Sequence, residues 1–119
     1  MQRPGTVRER TRLYHDAVRI VETEYASDLE LDDIARRVAS SRRQLQRAYA
    51  EIGETTFRAH LTHVRMQRAA ELLVQTRQPV RDVALRVGYR QSAQFAKTFR
   101  RYLGAAPAAY RMRERVRAA

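Results

Sequence analysis

The chain has 119 residues, 24 Lys and Arg against 13 Asp and Glu, a formal net charge of +11 at pH 7, and no Cys. That length allows one compact domain or two small subdomains sharing a helix; without Cys there is no disulfide framework, thiol nucleophile or thiolate metal site. No apolar run approaches the roughly 18 residues of a membrane span and no signal-peptide core opens the chain, so a soluble, intracellular protein with no membrane partner is expected.

The charge is unevenly placed. Residues 1–33 hold five Arg against eight acids, a balance of −3, whereas residues 34–119 hold nineteen basic residues against five acids, a balance of +14. A positive potential gathered on one part of the chain favours an acidic partner such as nucleic acid. Basic charge alone does not separate that reading from a ribosomal or membrane-surface role.

Met1 to Thr6 reads as a loose arm. From about Val7 to Ala26 the spacing is helical, with Leu13, Ala17 and Ile20 on one stripe and Tyr14, Val18, Val21 and Tyr25 beside it. A short helix follows from Leu31 to Val38, its inner face formed by Leu31, Ile34, Ala35 and Val38. Ser41 and Gln44 make a capping box for the next helix, which runs to Ile52 and stops at Gly53. A long helix, about Thr56 to Gln75, is expected to be capped by Thr55. Its apolar arc, with Phe57, Leu61, Val64 and Leu72 on one side and Met66, Ala69 and Leu73 on another, is wide enough for two packing partners. Pro79 starts a short helix to Val87, Gly88 breaks it, and a helix from about Ser92 to Tyr102 ends at Gly104. Pro107 begins a last short helix, and the Arg-rich tail from Arg111 is expected to fray. No segment alternates, so no sheet is expected.

The strongest internal signal is a repeat. Residues 31–39 (LDDIARRVA) match residues 80–88 (VRDVALRVG); then Leu45 and Tyr49 match Phe95 and Phe99, and Gly53 matches Gly104. In this alignment the offset grows from 49 to 50 to 51, which requires one extra residue in the second turn and one before the last Gly. Each copy is a short helix, a small-residue turn and a second helix with an apolar i, i+4 pair. In a helix-turn-helix, the first helix braces the second in the DNA major groove. An accidental repeat in a helical bundle would explain one such unit more easily than two of matched layout.

Projection at 100° per residue turns Leu45, Ala48, Tyr49 and Ile52 inward and Arg43, Gln46, Arg47 and Ala50 outward. Arg pairs bidentately with guanine O6 and N7, and Gln with adenine N6 and N7. In the second unit Phe95, Thr98, Phe99 and Tyr102 turn inward, leaving Ala93, Ala96, Lys97 and Arg100 outward beside Ser92 and Gln94. Ala93 and Ala96 either touch thymine methyls or simply let the helix approach closely. The first unit is therefore expected to supply more of the base discrimination and the second more of the phosphate-based affinity.

These motifs resemble the AraC/XylS family of bacterial transcription regulators over nearly the whole chain, about Leu13 to Arg111. The segments that carry the resemblance begin with Leu31-x-x-Ile34-Ala35, Ser41-x-x-x-Leu45-x-x-x-Tyr49 and Arg65-x-x-x-Ala69-x-x-Leu72-Leu73. The second half adds Val83-Ala84-x-x-Val87-Gly88-Tyr89, Phe95-x-x-x-Phe99 and Gly104-x-x-Pro107-x-x-Tyr110-Arg111. The resemblance implies an all-α fold of about seven helices, with two helix-turn-helix subdomains joined by a long central helix. The boundaries read as a flexible arm, 1–6; a first helix-turn-helix subdomain, 7–54; a linker helix, 55–76; a second subdomain, 77–113; and a frayed tail, 114–119.

By the same resemblance Arg43, Gln46, Arg47, Ser92, Ala93 and Lys97 face the bases, and Arg42, Arg90, Gln91, Gln94 and Arg100 face the phosphates. The chain departs from the family pattern at three places. Ser40 fills a turn position that is usually apolar, Ala93 has no hydrogen-bonding side chain, and Ala106 replaces a capping Ser or Thr before Pro107. The implied partners are double-stranded DNA and RNA polymerase, with the role of activator more common than repressor. The module is expected to bind DNA as a monomer in the bacterial cytoplasm, at the nucleoid when bound, with no cofactor, metal or catalytic activity. It is either a stand-alone regulator or an excised domain.

Other features have simpler readings. His60 and His63 are spaced i, i+3 but have no third ligand nearby, so surface or interface positions are expected. Arg65 and Arg68 read as packed stems with paired guanidiniums, and Asp32 and Asp33 as complements to a helix start. Two rival functions remain: nonspecific packaging, which would lack site preference over bulk DNA, and protein docking, which would lack a steep salt dependence.

Overall fold

The structure is a computed structural model that describes residues 4–119; part of the expected arm, residues 1–3, lies outside them. The described residues form helices and no strand. The helices are α1 (Pro4–Glu24), α2 (Leu31–Arg37), α3 (Arg42–Ala48), α4 (Phe57–Gln75), α5 (Val80–Arg86), α6 (Ser92–Leu103) and α7 (Pro107–Ala118). A π turn, Tyr49–Gly53, continues α3 directly. The all-α expectation is met, although residues 4–6, assigned to the arm, already belong to α1. The contacts divide the chain into two units, one up to Leu61 and one from Thr62 onward, with the boundary inside α4.

In the first unit the buried stripe of α1 is Arg10, Leu13, Ala17 and Val21. Val21, and not the expected Ile20, completes it, because the face packed on α3 follows steps of four residues. Leu31, Ile34, Ala35 and Val38 are buried as the sequence pattern requires. The capping box forms: the Gln44 amide donates to Ser41 Oγ at 3.1 Å and the Ser41 amide to Gln44 Oε1 at 3.3 Å. Leu45, Ala48 and Tyr49 are buried, whereas Ile52, expected inside, is only half-buried.

Gly53 is not the counterpart of Gly104. The left-handed residue that ends the α3 and π-turn run is Glu54 (φ 52°), and Gly104 (φ 83°) occupies the same place after α6. The offset is therefore 50 from the start of the second helix to its end, and the second extra residue proposed from sequence disappears. Gly53 serves a different need: a Cβ there would overlap the ring of Tyr14. The match continues past the sequence signal. α4 begins at Phe57 and α7 at Pro107, and each places a ring on the second helix, His60 against Tyr49 and Tyr110 against Phe99.

Among the described residues two non-glycine residues carry positive φ, Ala39 (57°) and Glu54 (52°), and the second unit has Gly88 (φ 103°) and Gly104 at the matching positions. A left-handed L-residue costs roughly 1–2 kcal/mol, partly offset by the entropy that Gly loses on folding. Ala39→Gly and Glu54→Gly are each expected to stabilise the protein by about 0.5–1 kcal/mol, read as a rise in the urea midpoint. Gly88→Ala should do the reverse, since a Cβ there meets the Arg65 guanidinium at 3.0 Å.

The second unit is built on Met66, Ala69, Leu73, Val83, Ala84, Val87, Phe95 and Phe99, all buried. Tyr102, expected inside, is 41% exposed, because the α6 core face ends at Phe99. The α4 cap is also one residue later than expected: Thr56 Oγ1, not Thr55, accepts from the Ala59 amide at 3.1 Å.

The tail expected to fray is helical to Ala118. Arg111 Nε donates to the Leu73 carbonyl at 2.8 Å and its Nη2 to the Gln78 carbonyl at 2.5 Å, while Arg115 Nη2 donates to the Thr76 carbonyl at 2.6 Å. Carbonyls at a helix C-terminus have no partner within the helix, so Arg111 completes the end of α4 at Leu73, and the bonds to Thr76 and Gln78 tie α7 to the connection that follows. Desolvation lowers the pKa of Arg111 from the usual guanidinium value. Met112 and Val116 on α7 are each 70% exposed.

Candidate nucleic-acid interface

The turn of each unit sets the angle of its second helix. In the first, Ala39 provides the left-handed residue, and the Ser40 amide returns to the Ala35 carbonyl at 2.8 Å. In the second, Gly88 provides it, and the Tyr89 amide returns to the Ala84 carbonyl at 2.9 Å. Both turns thus use the same bond one repeat apart. Ser40 fits its turn without an apolar side chain, because it is half-buried and its hydroxyl reaches the Ser41 carbonyl at 3.0 Å.

All the residues assigned to base or phosphate contact are exposed. On α3 these are Arg42, Arg43, Gln46 and Arg47; on α6 and the turn before it, Arg90, Gln91, Ser92, Ala93, Gln94, Lys97 and Arg100. Ala96, between them, is half-buried. Within each unit the assigned residues lie on the second helix or at its N-terminal end, opposite the buried face of Leu45, Ala48 and Tyr49 or of Phe95, Thr98 and Phe99.

The electrostatics of the two faces differ. Arg42 Nη1 is 3.1 Å from Asp32 Oδ1, and Arg47 Nε is 2.8 Å from Glu51 Oε1, so two of the three α3 cations have acidic neighbours. Arg43 has none among the described residues. On the second face Arg90, Lys97 and Arg100 have no ion-pair partner among the described residues. The N-termini differ as well: Ser41 caps α3, whereas Gln91, the residue before α6, makes no side-chain hydrogen bond to its amides. Uncapped amides and unpaired cations both favour an approaching anion.

The sequence reading missed Arg10 and Glu51. Arg10 is a 6%-exposed cation in the apolar stripe of α1, and its Nε lies 2.6 Å from Glu51 Oε2. The Arg47 hydrogen bond, with further help from the charge of Arg10, holds the Glu51 carboxyl below the usual carboxylate range. Arg10 falls three residues before Leu13, which is the signal that could have placed it inside.

The remaining candidates have structural roles. Asp32 and Asp33 stand in the first turn of α2 and also pair with Arg42 and Arg36. The Tyr49 hydroxyl and His60 Nδ1 are hydrogen-bonded at 2.9 Å, and burial pushes the Tyr49 phenol up. The Arg65 guanidinium lies 5.7 Å from the centroid of Tyr89, and Arg68 pairs with Glu71 at 3.3 Å, both on side chains of their own unit.

Two helix-turn-helix units, each presenting a basic second helix, define a DNA-binding type of module. Residues 34–113 match the model of a family described as a helix-turn-helix domain. A transcriptional regulator with an AraC-type DNA-binding domain from Chromobacterium violaceum is similar in structure, at a TM-score of 0.80 and 30% identity over 84% of this chain and 89% of that one. The DNA-binding domain of AdpA, a global transcriptional factor solved in complex with a target DNA, has a TM-score of 0.80 and 29% identity, covering 89% and 95% of the two chains. The Msm operon regulatory protein of Streptococcus mutans is 28% identical over 102 residues, 85% of this chain and 37% of its own length. The chain belongs to the AraC-type family of helix-turn-helix transcription regulators. It spans about a third of the length, or less, of the curated relatives it matches. No helix among the described residues is long and apolar enough to cross a membrane.

Proposed function

We propose that the chain binds double-stranded DNA sequence-specifically, laying α3 and α6 in successive major grooves, and that it regulates transcription in the bacterial cytoplasm, at the nucleoid when bound. The observation that carries this reading is the doubling of one unit, with each second helix buried on one face and basic on the other. Arg43, Gln46 and Arg47 read bases from the first unit, with Ser92, Ala93 and Lys97 facing bases from the second. Arg42, Arg90, Gln91, Gln94 and Arg100 lie toward phosphates. The uncapped start of α6 and the unpaired Arg90, Lys97 and Arg100 support an anchoring role for the second unit.

Two readers in one chain grip DNA without a second copy, so a monomer on an asymmetric site is the proposed state. Contact with RNA polymerase and activation are the proposed consequence, in line with one relative, a lactose operon transcription activator. Selection of sites from a random DNA pool tests the reading: an asymmetric consensus is expected, and a symmetric one with a protein on each half would contradict it. On that site Arg47→Ala should cost about tenfold or more in affinity and erase preference at one base pair. Lys97→Ala should weaken all sequences more evenly. Equal loss of base preference in both would remove the division between reader and anchor.

A further inference from the structure

Glu51 stands in the π turn that ends the first recognition helix, and its two oxygens are divided between two guanidiniums. Oε2 lies 2.6 Å from Nε of the buried Arg10, and Oε1 accepts from Nε of Arg47 at 2.8 Å. Arg10 belongs to the buried stripe of α1, so it is fixed by the core. The bond to Arg47 uses only its Nε; neither terminal nitrogen has a partner among the described residues. Those terminal nitrogens form the edge with which Arg takes guanine O6 and N7 together.

We propose that Glu51 is a positioning residue for DNA reading: anchored by Arg10, it fixes the Arg47 guanidinium by Nε and leaves its terminal edge free for one guanine. This rests on the reading of Arg47 as a base-contacting residue. An unrestrained Arg loses much rotamer freedom on binding, and a bridge made before DNA arrives removes part of that cost. The same acid disfavours phosphate at this spot, so Arg47 is steered to base edges and away from the backbone, where any sequence would satisfy it. Discrimination is the expected gain, and raw affinity is not.

The test uses the whole chain and compares Glu51→Gln, Arg10→Met and Arg47→Ala with the parent. Binding is measured to the selected site, to its single-base variants and to random-sequence DNA, with folding followed by circular dichroism. A Gln amide is neutral and keeps one acceptor oxygen, so it loses the charge attraction to Arg10 and no longer holds the two guanidiniums on separate oxygens. Glu51→Gln should therefore lower discrimination by about tenfold at the base pair where Arg47→Ala loses it. Its affinity for random DNA should rise, since a negative charge near phosphates has gone. Arg10→Met keeps the buried volume while removing the anchor, and should loosen the same base pair.

A merely structural Glu51 would lower specific and random binding together, and that result overturns the proposal. If Arg47→Ala abolishes the preference while Glu51→Gln retains it in full, positioning fails and the base-reading role of Arg47 stands. If Arg47→Ala itself leaves every preference intact, the reading of Arg47 fails and the proposal falls with it.

Discussion

Phe99→Ala is expected to cost about 3–5 kcal/mol and to unfold the second unit at room temperature. Phe99 is fully buried on α6 and joins a line of rings: its centroid is 5.7 Å from Phe95 and 5.3 Å from Tyr110, and Phe95 is 5.6 Å from Tyr89. Truncation opens a cavity where the turn, the second helix and α7 meet, and rigid helices cannot fully collapse into it. A unit of this size carries only a few kcal/mol of stability, about 0.05–0.15 kcal/mol per residue, so the loss is comparable with the whole. Urea melts followed by circular dichroism check it: the midpoint should fall steeply and helical signal should be lost before denaturant is added. Phe99→Leu, which retains much of the volume, should cost far less. A small effect of Phe99→Ala would mean that α7 and the turn are held by something other than this line of rings.

The second large effect is on DNA affinity as salt is raised. Arg42, Arg90, Lys97 and Arg100 lie on the two exposed faces, and three of them have no acidic partner among the described residues. If about four cations displace counterions, the slope of log affinity against log salt is about −3.6, a loss of roughly 100-fold from about 50 to 200 mM. Fluorescence anisotropy with a labelled duplex measures this directly. Arg90→Ala should reduce the slope by about one while leaving base preference intact. Arg47→Ala should change preference more than slope, because part of its charge is already balanced by Glu51. A flat salt response would favour protein docking over DNA binding, and equal affinity for all sequences would favour packaging.

Much of the fold was legible in the sequence because the apolar spacing repeats with the helical period. Leu31, Ile34, Ala35 and Val38 are inward by spacing and are buried in the structure, as are Val83, Ala84 and Val87, which the repeat aligns with the last three. The Ser41–Gln44 capping box could be read because both of its bonds are local. The helical tail could not. Arg111 looks like a solvated charge until the Leu73 and Gln78 carbonyls, more than thirty residues away, are placed beside it. Spacing places Tyr102 and Ile52 inside, against their exposure and half-burial, for a related reason. Projection gives a direction, but the length of the packed face depends on where the neighbouring helices end.

Sequence alone determined the all-α class, the two units and the outward side of each second helix. These follow from short-range periodicity, capping and a repeat that the chain carries in itself. Only the tertiary structure showed that Glu54, not Gly53, matches Gly104, because backbone handedness depends on the path of the chain and not on residue type alone. It also revealed the Arg10–Glu51–Arg47 bridge, whose ends lie on different helices and meet only when α1 packs on α3. Long-range ion pairs leave no periodic trace in a sequence; packing brings them into contact.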